Sequence, residues 1–376
     1  MSTAAQSDPG LSQAEAFARI RLLRSPNVGP VSYAQLLRRF GCGLAALKAL
    51  PDLAARGGGR YAVTPAARIE AEVLAVKRAG ARYLFHDSPD YPPLLRQAEG
   101  APPILIARGD PALAMRPTVA MVGARNASAA AMKLARMFAS ELAARGFVVV
   151  SGLARGIDGA AHRGALAGEA FGGGTIGVIA GGIDVTYPPE HADLQQDIAA
   201  QGLLLTEQPP ATEPLARHFP ARNRIIAWLA MGTVVVEAAP KSGSLITARL
   251  AGEIGREVMA VPGSPLDARS HGCNQLIRDG ATLVQSAEDV IEALSDFHGA
   301  PHARLREPIA EALEPIEPEP ADGAPPDIAA LLTTAPVAVD DLIRLSSGSP
   351  GAVQMALLEL ELAGKLVRHA GGRVSV

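Results

Sequence analysis

Four short segments of this 376-residue chain carry residue types that hold anions rather than break bonds. Val122-Gly123-Ala124-Arg125 sets a glycine, which lets a ligand approach the backbone, next to an arginine whose planar fork matches a phosphate. Ser151 to His162 begins with Gly152 and Gly156 and continues through Asp158. Arg217-His218-Phe219-Pro220-Ala221-Arg222-Asn223-Arg224 joins an aromatic ring to three arginines, a combination suited to stacking on a base and pairing with a strand's phosphates. Glu237, followed by Lys241-Ser242-Gly243-Ser244, offers hydroxyls that either cap a helix or hydrogen-bond a phosphate. Taken singly, each segment reads equally as ordinary chemistry: a tight turn, a helix start with solvated arginines, a pair of capping serines.

Catalytic readings of the same residues are thin. No nucleophile or metal partner accompanies His162, which reads as a structural histidine. A carboxylate beside a bound phosphate would be repelled, so Asp158 is expected to cap or orient its turn. In a regular helix Arg222 and Arg224 point about 200° apart, so only one of them should face a given groove. The chain has no Gly-x4-Gly-Lys-Ser/Thr sequence, which excludes an ordinary P-loop ATPase. The first glycine turn lacks Gly-x-Gly-x-x-Gly, which weakens a dinucleotide enzyme. Without a His-Glu-x-x-His or Cys-rich set, neither a metal nor another cofactor is expected.

The elements that must position these residues are legible from hydrophobic patterning. Short aliphatic runs precede the glycine turns, as in buried parallel strands that feed helices. Strands are predicted at 118–122, 147–151, 176–180, 202–206, 233–237 and 258–261, within an α/β region spanning 80–298. This implies a Rossmann-like, doubly wound, mostly parallel sheet, whose ligands bind at the carboxyl ends of the strands. The loop Gly172-Gly173-Gly174-Thr175 precedes its strand and is read as a turn on the opposite edge. Residues 11–75 read as a helical domain resembling a helix-hairpin-helix or sterile-alpha-motif unit, with Ser12 to Glu15 at capping-box spacing and a turn at Asn27 to Pro30. Residues 301–326, rich in Pro and Glu, read as an extended linker. Residues 327–376 read as three helices and a two-stranded wing, the order of a winged helix.

Composition narrows the class further. Hydrophobic residues make up 48% of the chain and aromatics only 4%, so a large aliphatic core is expected. Cys42 and Cys273 are too few and too far apart in sequence for a disulfide framework and suggest a reducing compartment. The polar stretch Met1 to Gly10 has no apolar signal core, and no run approaches the roughly 20 apolar residues of a membrane span. A soluble cytoplasmic protein is expected. The net charge of −3 argues against coating nucleic acid by bulk charge, although segment 301–326 alone carries −4. Binding of a polyanion must therefore rest on a local cluster.

In order along the chain, Val122 to Arg125, Ser151 to Asp158 with Ala161-His162, Gly181 to Pro188, Phe219 to Ile226, Val236-Glu237-Ala238 with Ser242 to Ala248, Val261-Pro262-Gly263, and Gly272 to Ile277 with Gly280-Ala281 closely resemble the DNA-processing protein A (Smf) family of bacteria. The resemblance covers about 80–295 strongly, and both flanking segments match additions common in that family. It implies a protein that binds single-stranded DNA, protects it during natural transformation in competent cells and helps load the RecA recombinase. It also implies self-association, as a homodimer, through the Rossmann-like domain. Carried over by position, the DNA-facing groups would be Gly123, Arg125, Phe219, Arg222, Asn223 and Ser242-Gly243-Ser244, with Arg217 and Lys241 as nearby basic candidates; the residue reading adds Gly152 and Gly156. Two positions depart from the family pattern. Ala124 stands where Ser or Thr is frequent, and Trp228-Leu229-Ala230 stands where Gly-Leu-Ser is usual.

Two further expectations concern function. No enzymatic activity is expected; the alternative is a nucleotide-processing, phosphoribohydrolase-like enzyme with Glu237 as acid or base. From Leu345 to Gly364, which covers the would-be recognition helix, there is no Lys or Arg, while Glu359 and Glu361 are present. Reading DNA in the major groove needs groups that helix lacks, so a protein-contact or dimer-supporting role is expected there.

Overall fold

The computed structural model describes residues 11–168, 173–295, 328–346, 348–369 and 371–376. The expected linker at 301–326, the segment Met1 to Gly10, Gly172 and the hairpin residue Ala370 lie outside them. Two compact units result: Glu72–Arg306, and a second formed by Met1–Ala71 with Glu307–Val376.

In chain order, the helices that begin the protein are α1 (Gln13–Leu23), α2 (Pro30–Phe40), α3 (Gly43–Arg56) and α4 (Ala66–Arg78). Ser12 caps α1 by accepting from the Glu15 N–H, as its spacing predicted. The Glu15 carboxylate, however, goes to Arg19 and to the Gly43 N–H that opens α3.

The larger unit is built on one sheet. Its strands are β1 (Arg82–Phe85), β2 (Ile104–Gly109), β3 (Thr118–Val122), β4 (Val148–Ser151), β5 (Gly174–Val178), β6 (Leu203–Thr206), β7 (Gly232–Val235), β8 (Glu257–Ala260) and β9 (Thr282–Leu283). They lie in the order β1-β2-β6-β5-β4-β3-β7-β8-β9. All six predicted strands are present. The other three, β1, β2 and β9, stand at the flanks; β1 and β2 pair antiparallel. Gly174 and Thr175 are part of β5 rather than of a turn, because Thr175 pairs with Val149 of β4 and buries its hydroxyl against that strand's carbonyl.

Helices α5 (Pro93–Arg96), α6 (Ala129–Ala144), α7 (Ile157–Ala167), α8 (Ala192–Gln201), α9 (His218–Leu229), α10 (Gly243–Glu253), α11 (His271–Arg278) and α12 (Ala287–Ser295) connect the strands. Alternate residues of each strand serve opposite faces. Val119 and Met121 pack with Ala135, Phe138 and Leu142 of α6 and Ala161 of α7. Ala120 and Val122 pack instead with Ile225, Ile226 and Leu229 of α9 and Ala248 of α10. A sheet covered on both faces needs continuous apolar strands, which is why Thr118–Val122 and Val148–Ser151 are buried throughout.

β3 is flanked by β4 on one side and by β7 on the other, both parallel to it. The chain runs from β3 outward through β4, β5 and β6, then returns to place β7 beside β3. That reversal is a topological switch point, where open α/β sheets leave a crevice at their carboxyl ends. The turns Gly123 to Arg125, Gly152 to Gly156 and Glu237 to Ser244 follow the three strands that flank it.

The smaller unit completes its core with the carboxyl-terminal segment: α13 (Ile328–Leu331), β10 (Val337–Ala338), α14 (Val339–Ser346), α15 (Pro350–Leu362), β11 (Val367–His369) and β12 (Arg373–Ser375). β10 adds a third strand to the expected two-stranded wing, pairing with β12. α15 is apolar on two sides. Val353 and Leu357 face Leu342 and Val374 of the winged helix, whereas Leu358 and Leu362 join Leu36, Leu50 and Leu53 of α2 and α3. Polar contacts line that second face: Asn27 Nδ2 donates to the Leu362 carbonyl at 3.2 Å, Gln35 Nε2 to Gln354 Oε1 at 2.9 Å, and Arg56 Nε lies 3.1 Å from Glu359 Oε1. The would-be recognition helix packs on the chain's own amino-terminal helices.

Candidate nucleic-acid interface

The three turns at the switch point are stitched together through the backbone. The Ala124 N–H donates to the Glu237 carbonyl at 2.6 Å, and the Ile157 N–H to the Ala124 carbonyl at 3.3 Å. Gly156, at φ +73°, lies against the carbonyls of Ala124 and Arg125, where an added Cβ would fall 2.2 Å from Ala124 O. A left-handed backbone and direct backbone contact leave no alternative to glycine there.

Arg222 sits at the centre. It is 5% exposed, and its Nε has no hydrogen-bond partner. A Cβ on Gly152 would lie 1.2 Å from Arg222 Nη1, so the guanidinium occupies space that only glycine leaves open. Among the described residues no carboxylate is within ion-pair distance of it. Burial pushes its pKa down to about 10, against the raising influence of Asp158 and with Arg125 lowering it further. Asp158 Oδ2 accepts from the N–H groups of Gly152 at 3.1 Å and Ala154 at 3.3 Å, so this carboxylate orients the turn, as expected. Burial raises its pKa, while Arg222 and those two N–H groups pull it down. An isolated buried cation costs several kcal/mol unless an anion compensates it. Asp158 acts on Arg222 through space without forming an ion pair, and its carboxylate is shared with the two N–H groups of the turn.

Phe219 bridges the two arginines. Its ring centroid is 5.1 Å from the Arg125 guanidinium carbon and 5.9 Å from that of Arg222. Both distances are in the cation–π range. Arg125 itself is exposed. Gly123, Arg125, Gly152, Gly156, Phe219 and Arg222 therefore form one cradle. The neighbouring helix start supplies a second group. Asn223 Nδ2 donates to the Gly243 carbonyl at 3.3 Å, tying α9 to α10. Ser242 stands at the N-cap of α10 but makes no capping bond; its hydroxyl is 2.8 Å from that of Ser244. The serines thus leave the first N–H groups of α10 without a side-chain cap, an arrangement that favours an anion. Arg217 and Lys241 are both exposed, and no hydrogen bond or ion pair among the described residues joins either to the cradle.

Arg222 and Arg224 do face opposite ways. Arg224 pairs with Glu207, donates to the Gly100 carbonyl at 3.0 Å and lies 5.4 Å from the Trp228 ring. That contact shows how Trp228 is accommodated on the flank of the core. His162 is fully buried, with Nδ1 2.7 Å from the Thr175 hydroxyl. That hydroxyl already donates to Val149, so Nδ1 carries the proton. Burial, with His191 and the arginines adding to it, pushes the His162 pKa down to about 3, and it stays neutral. Both Glu237 carboxylate oxygens are engaged by Ser128, Oε1 by its N–H at 3.0 Å and Oε2 by its hydroxyl at 2.7 Å, a structural clamp on the start of α6.

Sequence reasoning missed Tyr187, which is 44% exposed with its ring centroid 5.7 Å from that of Phe219. The scarcity of aromatics was a usable signal: an exposed tyrosine in such a chain stands out. Ser128 carried no signal, because only the folded sheet brings it to Glu237.

With this geometry in hand, comparison with known proteins is direct. A model described as DNA recombination-mediator protein A matches residues 82–295, more than half of the chain. The chain belongs to that family. A model of a DprA-like amino-terminal helix-hairpin-helix domain matches 13–75, and one of the DprA winged helix domain matches 308–372. Protein Smf of Escherichia coli strain K12 is 37% identical over 86% of this chain and 84% of its own length. DNA processing protein DprA of Bacillus subtilis is 42% identical over 60% of this chain and 75% of its own. The X-ray structure of DNA processing protein A from Streptococcus pneumoniae superposes with a TM-score of 0.62 at 35% identity, covering 75% of this chain and 98% of that one. That of the Helicobacter pylori protein, described for its single-stranded DNA binding mode, gives 0.52 at 29% identity, covering 58% and 98%. The family member described here is thus a DNA-processing protein with a mostly parallel α/β sheet, an amino-terminal helix-hairpin-helix domain and a winged helix. No helix among the described residues is long and apolar enough to cross a membrane.

Proposed function

We propose that this protein binds single-stranded DNA at the switch point and acts, without catalysis, as a mediator that protects the strand and delivers it to the RecA recombinase. The observation that carries the reading is Arg222, a buried guanidinium without an ion-pair partner, beside Phe219 and Arg125 and against an open glycine. A phosphate would compensate its charge, Arg125 would take the adjoining phosphate, and Phe219 with Tyr187 would offer ring surface to a base. The Helicobacter pylori relative's single-stranded DNA binding supports the choice of ligand. Delivery to RecA, homodimerisation through the Rossmann-like unit, a cytoplasmic setting and a role in natural transformation rest on family membership alone. The engagement of Glu237 by Ser128 disfavours the phosphoribohydrolase reading.

The deciding experiment compares single- and double-stranded oligonucleotides across a salt series. Single strands should bind more tightly, and Arg125→Ala should flatten the dependence of log K on log salt by about 0.7, one phosphate's worth on a single strand. Equal affinity for both forms, with an unchanged slope in the variant, would remove this reading.

A further inference from the structure

A second cationic feature lies outside the cradle. The helices α6 and α7 meet so closely that a Cβ on Gly164 would fall 2.2 Å from the Arg136 carbonyl. Between them runs a groove of about 450 Å³, lined by Ala129, Met132, Lys133, Arg136, Gly156, Arg163 and His191 among others. Lys133, Arg136 and Arg163 are exposed, and among the described residues none of the three makes an ion pair. His191 donates from Nδ1 to the Leu153 carbonyl at 2.9 Å. The adjacent carboxylate, Glu190, is engaged by Arg155.

From these residues we propose that the α6–α7 groove is a second phosphate-binding subsite, which carries a single strand onward from the Arg125–Arg222 cradle. The proposal rests on the reading of that cradle as a single-strand site. Continuity supports it: Gly156 lines the groove and also lies against the Arg125 carbonyl. Both helices start at the carboxyl edge of the sheet, so the groove leads away from the cradle. At 1.5 Å rise per residue, Lys133 and Arg136 stand about 6 and about 11 Å beyond Ala129 along α6. The lining chemistry favours a phosphate backbone over a protein: the groove has one large apolar side chain, Met132, and no aromatic anchor of the kind protein interfaces use. Its one ring is the His191 imidazole, held by the Leu153 carbonyl, so the subsite would hold chiefly phosphates and ignore sequence.

The test is a full-length Lys133→Ala/Arg136→Ala/Arg163→Ala variant, with strands of about four and about sixteen nucleotides, lengths that bracket common single-strand site sizes. All three positions are exposed, and a thermal melt matching wild type verifies the fold. The short strand should bind variant and wild type alike, while the long strand should lose about tenfold or more. Its salt slope should fall by about 2, three phosphates' worth. Equal binding of the long strand by both proteins overturns the subsite, and a changed oligomeric state in that case assigns the groove to a protein partner. Equal losses for short and long strands also overturn it, since the three cations would then be acting on the cradle. If wild type binds neither strand, the cradle reading itself fails, a result distinct from both.

Discussion

Helices α9 and α15 are alike in length, and they do opposite things with charge. Both are buried on more than one side. α9 takes a guanidinium inside with it and leaves that charge without an ion-pair partner. α15 takes no cation at all; Leu358 and Leu362 meet the amino-terminal helices, and Glu359 is paired with Arg56. A helix whose every charge is matched and whose faces are filled is complete without a ligand. One that buries a cation with no ion-pair partner is the proposed binding element, and that contrast, rather than domain type, sets α9 apart from α15. A winged helix would ordinarily suggest DNA reading, yet here its third helix carries no cation and packs on two sides within the chain.

The comparison can be broken by variants on either side. The largest expected effect is on stability: Leu358→Ala should cost about 2–5 kcal/mol in the smaller unit by opening a cavity between α15 and α3. Denaturant unfolding would measure it, and single-strand affinity at a temperature below that transition should not change. A deletion of 327–376 is a blunter probe, because it strips Leu358 and Leu362 from the helical cluster. Next is Arg222→Met, which fills the same space without charge. Single-strand affinity should fall by at least tenfold, the loss of a charge-assisted contact worth about 1.5–3 kcal/mol. Retained affinity would equate α9 with α15. Gly152→Ala should reproduce part of that loss with Arg222 intact, since the new methyl displaces the guanidinium; titration with a labelled strand would show it.

The smallest effect is a pH dependence. His162 titrates at about 3 when folded and near 6.5 as an ordinary histidine. Between those values the unfolded chain binds the extra proton, so the stability this group contributes is full above about 6.5 and is lost as pH falls toward 3. Asp158, whose pKa is raised by burial despite Arg222, acts in the opposite sense. Its native form holds a proton above the ordinary 3.8, so its contribution falls as pH rises from there. His162→Gln should therefore flatten the acid limb relative to wild type; an identical limb would remove the histidine from the account.

Much of the site was legible because it is local in sequence. Each glycine turn follows its own aliphatic strand, and helical periodicity alone separates Arg222 from Arg224. The antiparallel strands Arg82–Phe85 and Ile104–Gly109 were not distinguished, since a short apolar run does not reveal its direction or partner. Tyr187 beside Phe219 and Ser128 beneath Glu237 depend on loops separated by tens to more than a hundred residues in the chain.

The alternation of strands and helices, the positions of the glycine turns and the absence of cations on α15 follow from residue type and near-neighbour spacing. Folding is what sets β3, β4 and β7 side by side, so that three separate turns share one crevice. Packing also buries Arg222 over Gly152 with no carboxylate at ion-pair distance among the described residues, and covers α15 with the amino-terminal helices. Strand order and burial are collective outcomes of packing, and the electrostatic state of a side chain follows from what else was excluded with it from water.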